Sequence, residues 1–159
     1  MNEPTSRQPD DAVHDPYAAL QALASPAVCG GCGAVHADGH WAWSPAPPGA
    51  AATTCPACLR ERDRQPAGEL TVDAALARTH RESIIALARA VEAREKRLHP
   101  LQRIMDIAPV APADGALTIT TTDPHLARGL GEALQERFRA RATYAFARGQ
   151  HLLQVALTP

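Results

Sequence analysis

Cys29-Gly30-Gly31-Cys32 and Cys55-Pro56-Ala57-Cys58 together hold all four cysteines of the chain. In each stretch one turn of backbone can bring both thiolates onto a single ion. Two such turns complete a closed tetrahedral shell of the structural kind that zinc prefers. Gly33 follows the first pair, where a metal-binding turn often needs a positive φ to aim amide N–H groups at sulfur. The predicted ligands of one Zn²⁺ are therefore Cys29, Cys32, Cys55 and Cys58.

Two other interpretations of the cysteines stay open on the sequence alone. Four thiolates also bind iron in centres of the rubredoxin type, and a single Cys-x-x-Cys pair can be a dithiol redox centre. A redox pair is usually single and lies near a βαβ pattern, which neither cysteine stretch has around it. The sequence therefore favours one shared metal ion, with zinc ahead of iron.

The composition is that of a small globular protein. The chain has 159 residues, of which 45% are hydrophobic, and this suffices for one domain of ordinary size or two small ones. Aromatic residues make up only 4% of the chain, and alanine, which buries little area per residue, supplies much of the apolar content. We therefore expect the metal to help hold the N-terminal part together. The sequence has no run of about 18 apolar residues and no signal segment, which predicts a cytoplasmic protein without membrane contact.

Charge is distributed unevenly along the chain. The formal net charge is −1, but residues 1–58 contain one basic and five acidic groups, and residues 59–159 contain 15 basic and 12 acidic groups. The two parts therefore carry −4 and +3. Four thiolates around Zn²⁺ would add about −2 to the first part. A polyanionic partner would accordingly bind the C-terminal two-thirds of the chain.

The N-terminal part is predicted to contain a tail, a short helix and a zinc ribbon. Residues 1–26 combine a polar tail, expected to be disordered, with a short helix that starts at Asp15-Pro16 and ends at Pro26. Asp38-Gly39 lies between two short strand-like stretches and favours a tight hairpin between the cysteine turns. Residues 27–68 are therefore predicted to form a zinc ribbon followed by a highly charged linker.

The middle of the chain is predicted to be helical. Apolar residues recur at helical spacing from Asp73 to Leu98, and a capping-box pattern indicates a break near Thr79. A further short helix is predicted over residues 101–107. Residues 69–112 are therefore interpreted as a helical connector.

The last third shows a β-α-β-β pattern over residues 113–159. Alternating apolar residues and threonines predict a strand over 116–122, and Asp123-Pro124 predicts the start of an amphipathic helix. Strands over 143–147 and 151–157 would give this helix a sheet to cover. The predicted fold class is α+β, with an N-terminal four-cysteine zinc ribbon, a connecting helix and a C-terminal β-α-β-β unit.

Several motifs carry a resemblance to known proteins. The Cys-x-x-Cys-Gly turn, Trp41-Ala42-Trp43, the Cys-Pro-Ala-Cys turn and the run Thr-Thr-Asp-Pro-His-Leu-Ala-Arg over 121–128 resemble a family of small, uncharacterised proteobacterial proteins. This resemblance covers most of the chain after Ala27. The C-terminal unit is more distantly similar to a domain of the archaeal and eukaryotic large-subunit adaptor of the nonsense-mediated-decay-three type, which follows zinc knuckles. The resemblance implies association with RNA or the ribosome, and it implies no catalysis.

Basic residues supply candidate contacts to RNA phosphates. They form one group after the second cysteine pair, one near the end of the long helix and one around the last helix. The alternative is that these residues have only structural roles: all of them can be solvated at the surface, and those near helix ends can interact favourably with the helix dipole. The candidates are Arg60, Arg62, Arg64, Arg94, Lys96, Arg97, Arg103, Arg128, Arg137, Arg139 and Arg141.

Aromatic and histidine residues near the cysteines allow more than one role. Trp41 and Trp43 lie on the same face of one predicted strand, where they can stack on unpaired bases or, as the sequence favours, shield the metal as core. His36 and His40 would be ligands only in place of a cysteine, and with four cysteines present they are assigned to the hairpin surface.

The sequence therefore predicts a protein without catalysis. It has no Ser/His/Asp arrangement, no glycine-rich phosphate loop and no His-Glu-x-x-His motif, and four cysteine ligands leave no open position on the metal. The expected function is binding of ribosomal RNA or a ribosomal subunit, with no small-molecule substrate. The alternative is a zinc-stabilised protein–protein adaptor or regulator that does not contact RNA.

Overall fold

The computed structural model describes residues 15–19 and 25–159. The first helix, α1 (Pro16–Ala19), begins after Asp15, whose Oδ1 accepts a hydrogen bond of 3.0 Å from the amide of Tyr17. The predicted helix start at Asp15-Pro16 is thus confirmed. The tail over residues 1–14, and most of the predicted course of this helix toward Pro26, lie outside the described residues.

A four-stranded sheet holds the two cysteine pairs. Its strands are β1 (Ala27–Cys29), β2 (Val35–Ala37), β3 (His40–Ala42) and β4 (Ala51–Thr53), in the order β3-β2-β1-β4. β2 and β3 form the predicted antiparallel hairpin. Its turn residues Asp38 and Gly39 have φ values of 53° and 82°, the positive values that a tight hairpin turn requires.

The charged segment after the second cysteine pair is helical, where the sequence predicted a linker. α2 (Pro56–Asp63) starts at Pro56 with Cys55 as its N-cap. An acceptor side chain followed by proline is a favourable helix start, and here a cysteine sulfur serves as the acceptor. Arg64 ends the helix in the left-handed conformation, with φ 52°.

A five-stranded sheet forms the rest of the molecule. Its strands are β5 (Gly68–Val72), β6 (Ile104–Pro109), β7 (Leu117–Thr121), β8 (Arg141–Phe146) and β9 (Leu153–Thr158), in the order β6-β7-β5-β9-β8. β5 runs parallel to β9, and the other neighbours are antiparallel. The helices α3 (Ala74–Leu98) and α4 (Pro124–Phe138) pack on the apolar face of this sheet and bury one core with it.

The predicted elements of the last third are confirmed, but they do not make a separate unit. The strands β7, β8 and β9 and the helix α4 lie where the β-α-β-β pattern placed them, and the predicted break in α3 occurs at His80, with φ −127°. However, β5 pairs with both β7 and β9 in the middle of the same sheet. The α+β class is therefore confirmed, and the sheet begins earlier in the chain than the sequence indicated.

The interpretation of residues 69–112 as a helical connector is corrected by two strands. β5 and β6 flank α3 and both belong to the five-stranded sheet, and residues 104–109 form a strand where a short helix was predicted. Short apolar runs do not by themselves distinguish a buried strand from a helix turn. Residues 104–109 form a strand because they pair with β7.

Candidate metal centre

Two turns bring the four cysteines together beside the small sheet. The first turn closes after β1, where the amide of Gly33 donates a hydrogen bond of 2.8 Å to the carbonyl of Cys29, and Gly33 has φ +83°. The second turn is the start of α2, where the amide of Cys58 donates to Cys55 Sγ at 3.4 Å. The positive φ predicted for Gly33 is thus confirmed.

The spacing of the sulfurs fits a tetrahedral ion. All four Sγ atoms lie within 4.8 Å of one another, with 3.8 Å between Cys29 and Cys58 and 3.8 Å between Cys32 and Cys55. A tetrahedron of sulfurs each about 2.3 Å from zinc has edges of about 3.8 Å. The four thiol groups therefore form a closed donor set that could hold one metal ion, and soft sulfur ligands favour zinc or iron over hard cations.

Gly31 fits closely against this cluster. A Cβ atom on Gly31 would lie 3.1 Å from Cys58 Sγ, whereas a Cβ on Gly30 would meet nothing within 4 Å. Of the two residues inside the first turn, only Gly31 is therefore restricted by the approach of the opposite cysteine.

Backbone amides stabilise the thiolate form of Cys29. Burial on its own would raise the pKa of this thiol, but hydrogen bonds from the amides of Cys55, Cys32 and Gly31 outweigh burial and lower the pKa to about 6. The bond from Cys55 measures 3.2 Å. Burial raises the pKa of the Cys55 thiol, which has no comparable set of amides around it. Amides aimed at sulfur support a thiolate ligand.

Arg103 is the charged neighbour of the cysteine cluster. It is only 5% exposed, and its guanidinium donates to Cys58 Sγ at 3.3 Å, to Cys55 Sγ at 3.6 Å and to the Glu61 carboxylate at 3.1 Å. Its Nε donates to the carbonyl of Pro100 at 3.0 Å. Burial would lower the pKa of Arg103, but the adjacent sulfurs raise it above its ordinary value. A fixed positive charge therefore lies against two of the four candidate ligands.

Apolar residues also pack against the cluster. Ala34 and Ala57 are buried against the cysteines, and Trp41 and Leu101 pack beside them. Trp41 thus shields the site, as the sequence favoured. Leu101 and Arg103 come from the segment before β6, so the cluster is completed by the larger part of the molecule.

Two candidate RNA-binding arginines are buried inside the protein. Besides Arg103, Arg60 is 3% exposed and donates to the Asp15 carboxylate at 2.7 Å and to the carbonyl of Gln65 at 3.0 Å. Its guanidinium also lies 4.4 Å from the centre of the Tyr17 ring. Arg60 and Arg103 are thus engaged in contacts within the chain and do not offer their charges to a partner.

The other basic candidates are exposed and lie in three places. Arg62 and Arg94 form surface ion pairs with Asp63 and Glu95 at 2.7 and 3.2 Å. Arg128 lies over the Tyr144 ring at 4.9 Å, and Arg137 lies over Phe138 at 5.3 Å. Arg139 ends α4 with φ 52°, so it does not share a strand face with Arg141 as the sequence suggested. The exposed candidates are Arg62, Arg64, Arg94, Lys96, Arg97, Arg128, Arg137, Arg139 and Arg141.

Trp43 differs from the prediction that both tryptophans are core. It lies beyond the end of β3, is 40% exposed and donates its indole N–H to the carbonyl of Lys96 at 2.6 Å. His36 packs against Trp41 with 5.2 Å between ring centres. No local pattern in the sequence marks the hydrogen bond of Trp43 or the role of Arg103, because each partner is more than 40 residues away along the chain.

Comparison of the chain with protein-family models, curated proteins and solved structures finds no match. Within the described ranges, no helix has both the length and the apolar character of a membrane span. The class of protein is therefore defined by its own architecture, which is an α+β protein with a four-cysteine candidate metal centre.

Proposed function

We propose that the protein binds one Zn²⁺ through its four cysteines and uses it as a structural ion. The observation that carries this proposal is that all four Sγ atoms lie within 4.8 Å of one another, with two of the pairs at 3.8 Å, which is about the edge of a zinc–sulfur tetrahedron. Four thiolates fill the coordination shell, so the ion would have no position for substrate and the protein would be non-catalytic. When bound, zinc would supply a rigid link between the small sheet and α2. Elemental analysis of the purified protein should find one zinc per chain, and stoichiometric iron or the absence of metal would contradict the proposal.

We further propose that the protein binds ribosomal RNA or a ribosomal subunit through its exposed basic residues. Nine of the candidates identified in the sequence are exposed, and Arg137, Arg139 and Arg141 lie within five positions at the end of α4 and the start of β8. Exposed cations this close together along the chain are suited to phosphate contacts.

The test of RNA binding is its dependence on salt. Sedimentation of tagged protein on sucrose gradients at low and high salt should show co-migration with ribosomal particles that weakens as salt rises. Replacing Arg137, Arg139 and Arg141 with Gln should reduce the slope of log K against log salt by up to about three units. An unchanged slope with a lower melting temperature would favour the protein–protein adaptor instead.

A further inference from the structure

Trp43 and the end of α3 form a surface whose parts lie far apart in the sequence. We propose that Trp43 stacks on an unpaired base of single-stranded RNA while Lys96 and Arg97 contact the neighbouring phosphates. This inference rests on the proposed RNA binding and names the form of RNA and the place where it binds. We call the residues Trp43, Ala93, Lys96 and Arg97 the Trp43 surface.

The Trp43 indole is hydrogen-bonded through its N–H to the end of α3. α3 ends close to Pro100, which has no N–H to donate to the carbonyl of Lys96 four residues earlier. The indole N–H of Trp43 takes this place, with a hydrogen bond of 2.6 Å. The bond orients the ring, and Trp43 remains 40% exposed. A ring fixed in this way loses little rotational freedom when a base stacks on it.

The residues beside the Trp43 ring have a charge and a size that suit a bound nucleotide. Ala93 has a small side chain and leaves room beside the ring, and Lys96 and Arg97 are exposed. No ion pair among the described residues engages either cation, whereas the adjacent Arg94 is paired with Glu95. Aromatic rings bordered by unpaired cations are the usual elements of single-strand binding sites.

The chemistry of the surface favours RNA over a protein partner. A stable protein interface buries roughly 800 Å² on each side, of which more than half is apolar, whereas the apolar part of the Trp43 surface consists of the exposed portion of Trp43 and the methyl group of Ala93. A duplex would not use the ring either, because its bases are already stacked on one another. Unpaired bases expose their faces, and each stack on an aromatic ring contributes substantially to affinity.

The experiment measures binding of a fluorescein-labelled single-stranded oligouridine of about 12 nucleotides, and of its duplex with oligoadenine, by anisotropy at several salt concentrations. Trp43→Ala should weaken single-strand binding about 5- to 150-fold and leave the salt slope unchanged. Trp43→Phe, which keeps an aromatic face and loses the N–H, should retain most of the affinity. Replacing Lys96 and Arg97 with Gln should lower the slope by about 0.7 for each phosphate that the variant no longer neutralises.

Phe146 provides the matched control, because it is also 40% exposed but lies on β8 and does not belong to the Trp43 surface. Phe146→Ala should leave oligouridine binding unchanged. Metal content and melting temperature of each variant show whether it is folded, and Trp43→Phe separates loss of the hydrogen bond from loss of stacking.

The outcomes distinguish the two proposals. If the wild-type protein binds neither single strand nor duplex, nor ribosomal particles, the proposed RNA function itself fails. If the wild-type protein binds RNA but prefers the duplex, the stacking site alone is wrong. The same conclusion follows if Trp43→Ala keeps the wild-type affinity or loses no more affinity than Phe146→Ala.

Discussion

Arg60 and Arg103 are two buried arginines with different roles in the interior. Both are nearly inaccessible, at 3% and 5% exposure, and both bond to a carboxylate and to a backbone carbonyl. Only Arg103 also donates to sulfur. Because a zinc ion with four thiolates keeps about two negative charges, a buried guanidinium beside it is stabilising for the metal-bound state.

Arg103→Met should therefore weaken zinc binding about 10- to 100-fold, the range typical of changes to groups that contact metal ligands. The methionine keeps part of the buried volume but removes the positive charge and the bonds to Cys55 and Cys58. Arg103→Lys should fall between wild type and Arg103→Met, because lysine keeps the charge without the planar fork. Competition with a chromophoric zinc chelator gives the affinities.

Arg60→Met is the matched control for this prediction. It removes an equally buried arginine that has no bond to sulfur, so it should lower the melting temperature and leave zinc affinity near the wild-type value. Equal zinc affinities in the two methionine variants would show that Arg103 does not act on the metal centre.

The close approach of α4 to the five-stranded sheet depends on Gly68, the first residue of β5. A Cβ there would overlap the Thr121 hydroxyl and lie 2.5 Å from the Ala127 methyl group. The Thr121 hydroxyl in turn donates to the carbonyl of Asp123 at 2.8 Å, just before α4 begins. The glycine thus lets β5, β7 and the start of α4 meet without a gap.

Gly68→Ala should consequently destabilise the protein by about 1–3 kcal/mol, because overpacking forces the strand or the helix to move. Gly129→Ala is the contrasting change within α4, where a Cβ meets nothing within 4 Å. It should stabilise the protein by about 0.5–1 kcal/mol through higher helix propensity. Urea unfolding of the three proteins measures both effects, and a neutral Gly68→Ala would mean that the junction is loosely packed.

Features of the fold that depend on adjacent residues are predictable from the sequence, and those that depend on distant contacts are not. The cysteine turns, the Asp38-Gly39 hairpin and the Asp-Pro helix starts each depend on a few adjacent residues, and all are present. No local pattern predicts β5, because its place in the sheet is decided by pairing with β7 and β9, about 50 and 85 residues further along. The contacts of Arg103 cannot be predicted for the same reason, since nothing beside it in the sequence marks the sulfurs that it contacts.

The two apolar cores lead to a prediction for metal removal. One core surrounds the cysteines with small residues such as Ala34 and Ala57, and the other joins α3 and α4 to the five-stranded sheet. The first core is small, and zinc binding contributes about 10–16 kcal/mol to the folding of zinc-finger peptides, so we expect this core not to fold without an ion. The second core contains none of the four sulfurs and should persist.

Chelation should therefore unfold residues 27–58 and leave the five-stranded sheet and its helices folded. Hydrogen exchange should show lost protection in β1 to β4 but retained protection in β5, β7 and β9, and added zinc should restore the first set. Cys29→Ser, which removes one ligand, should resemble the chelated protein without chelator and respond little when chelator is added. Arg103 and Trp43 connect the N-terminal part to the rest of the fold through their bonds to Cys58 and Lys96. If chelation raised exchange throughout the five-stranded sheet as well, the metal would support the whole fold and not only its N-terminal part.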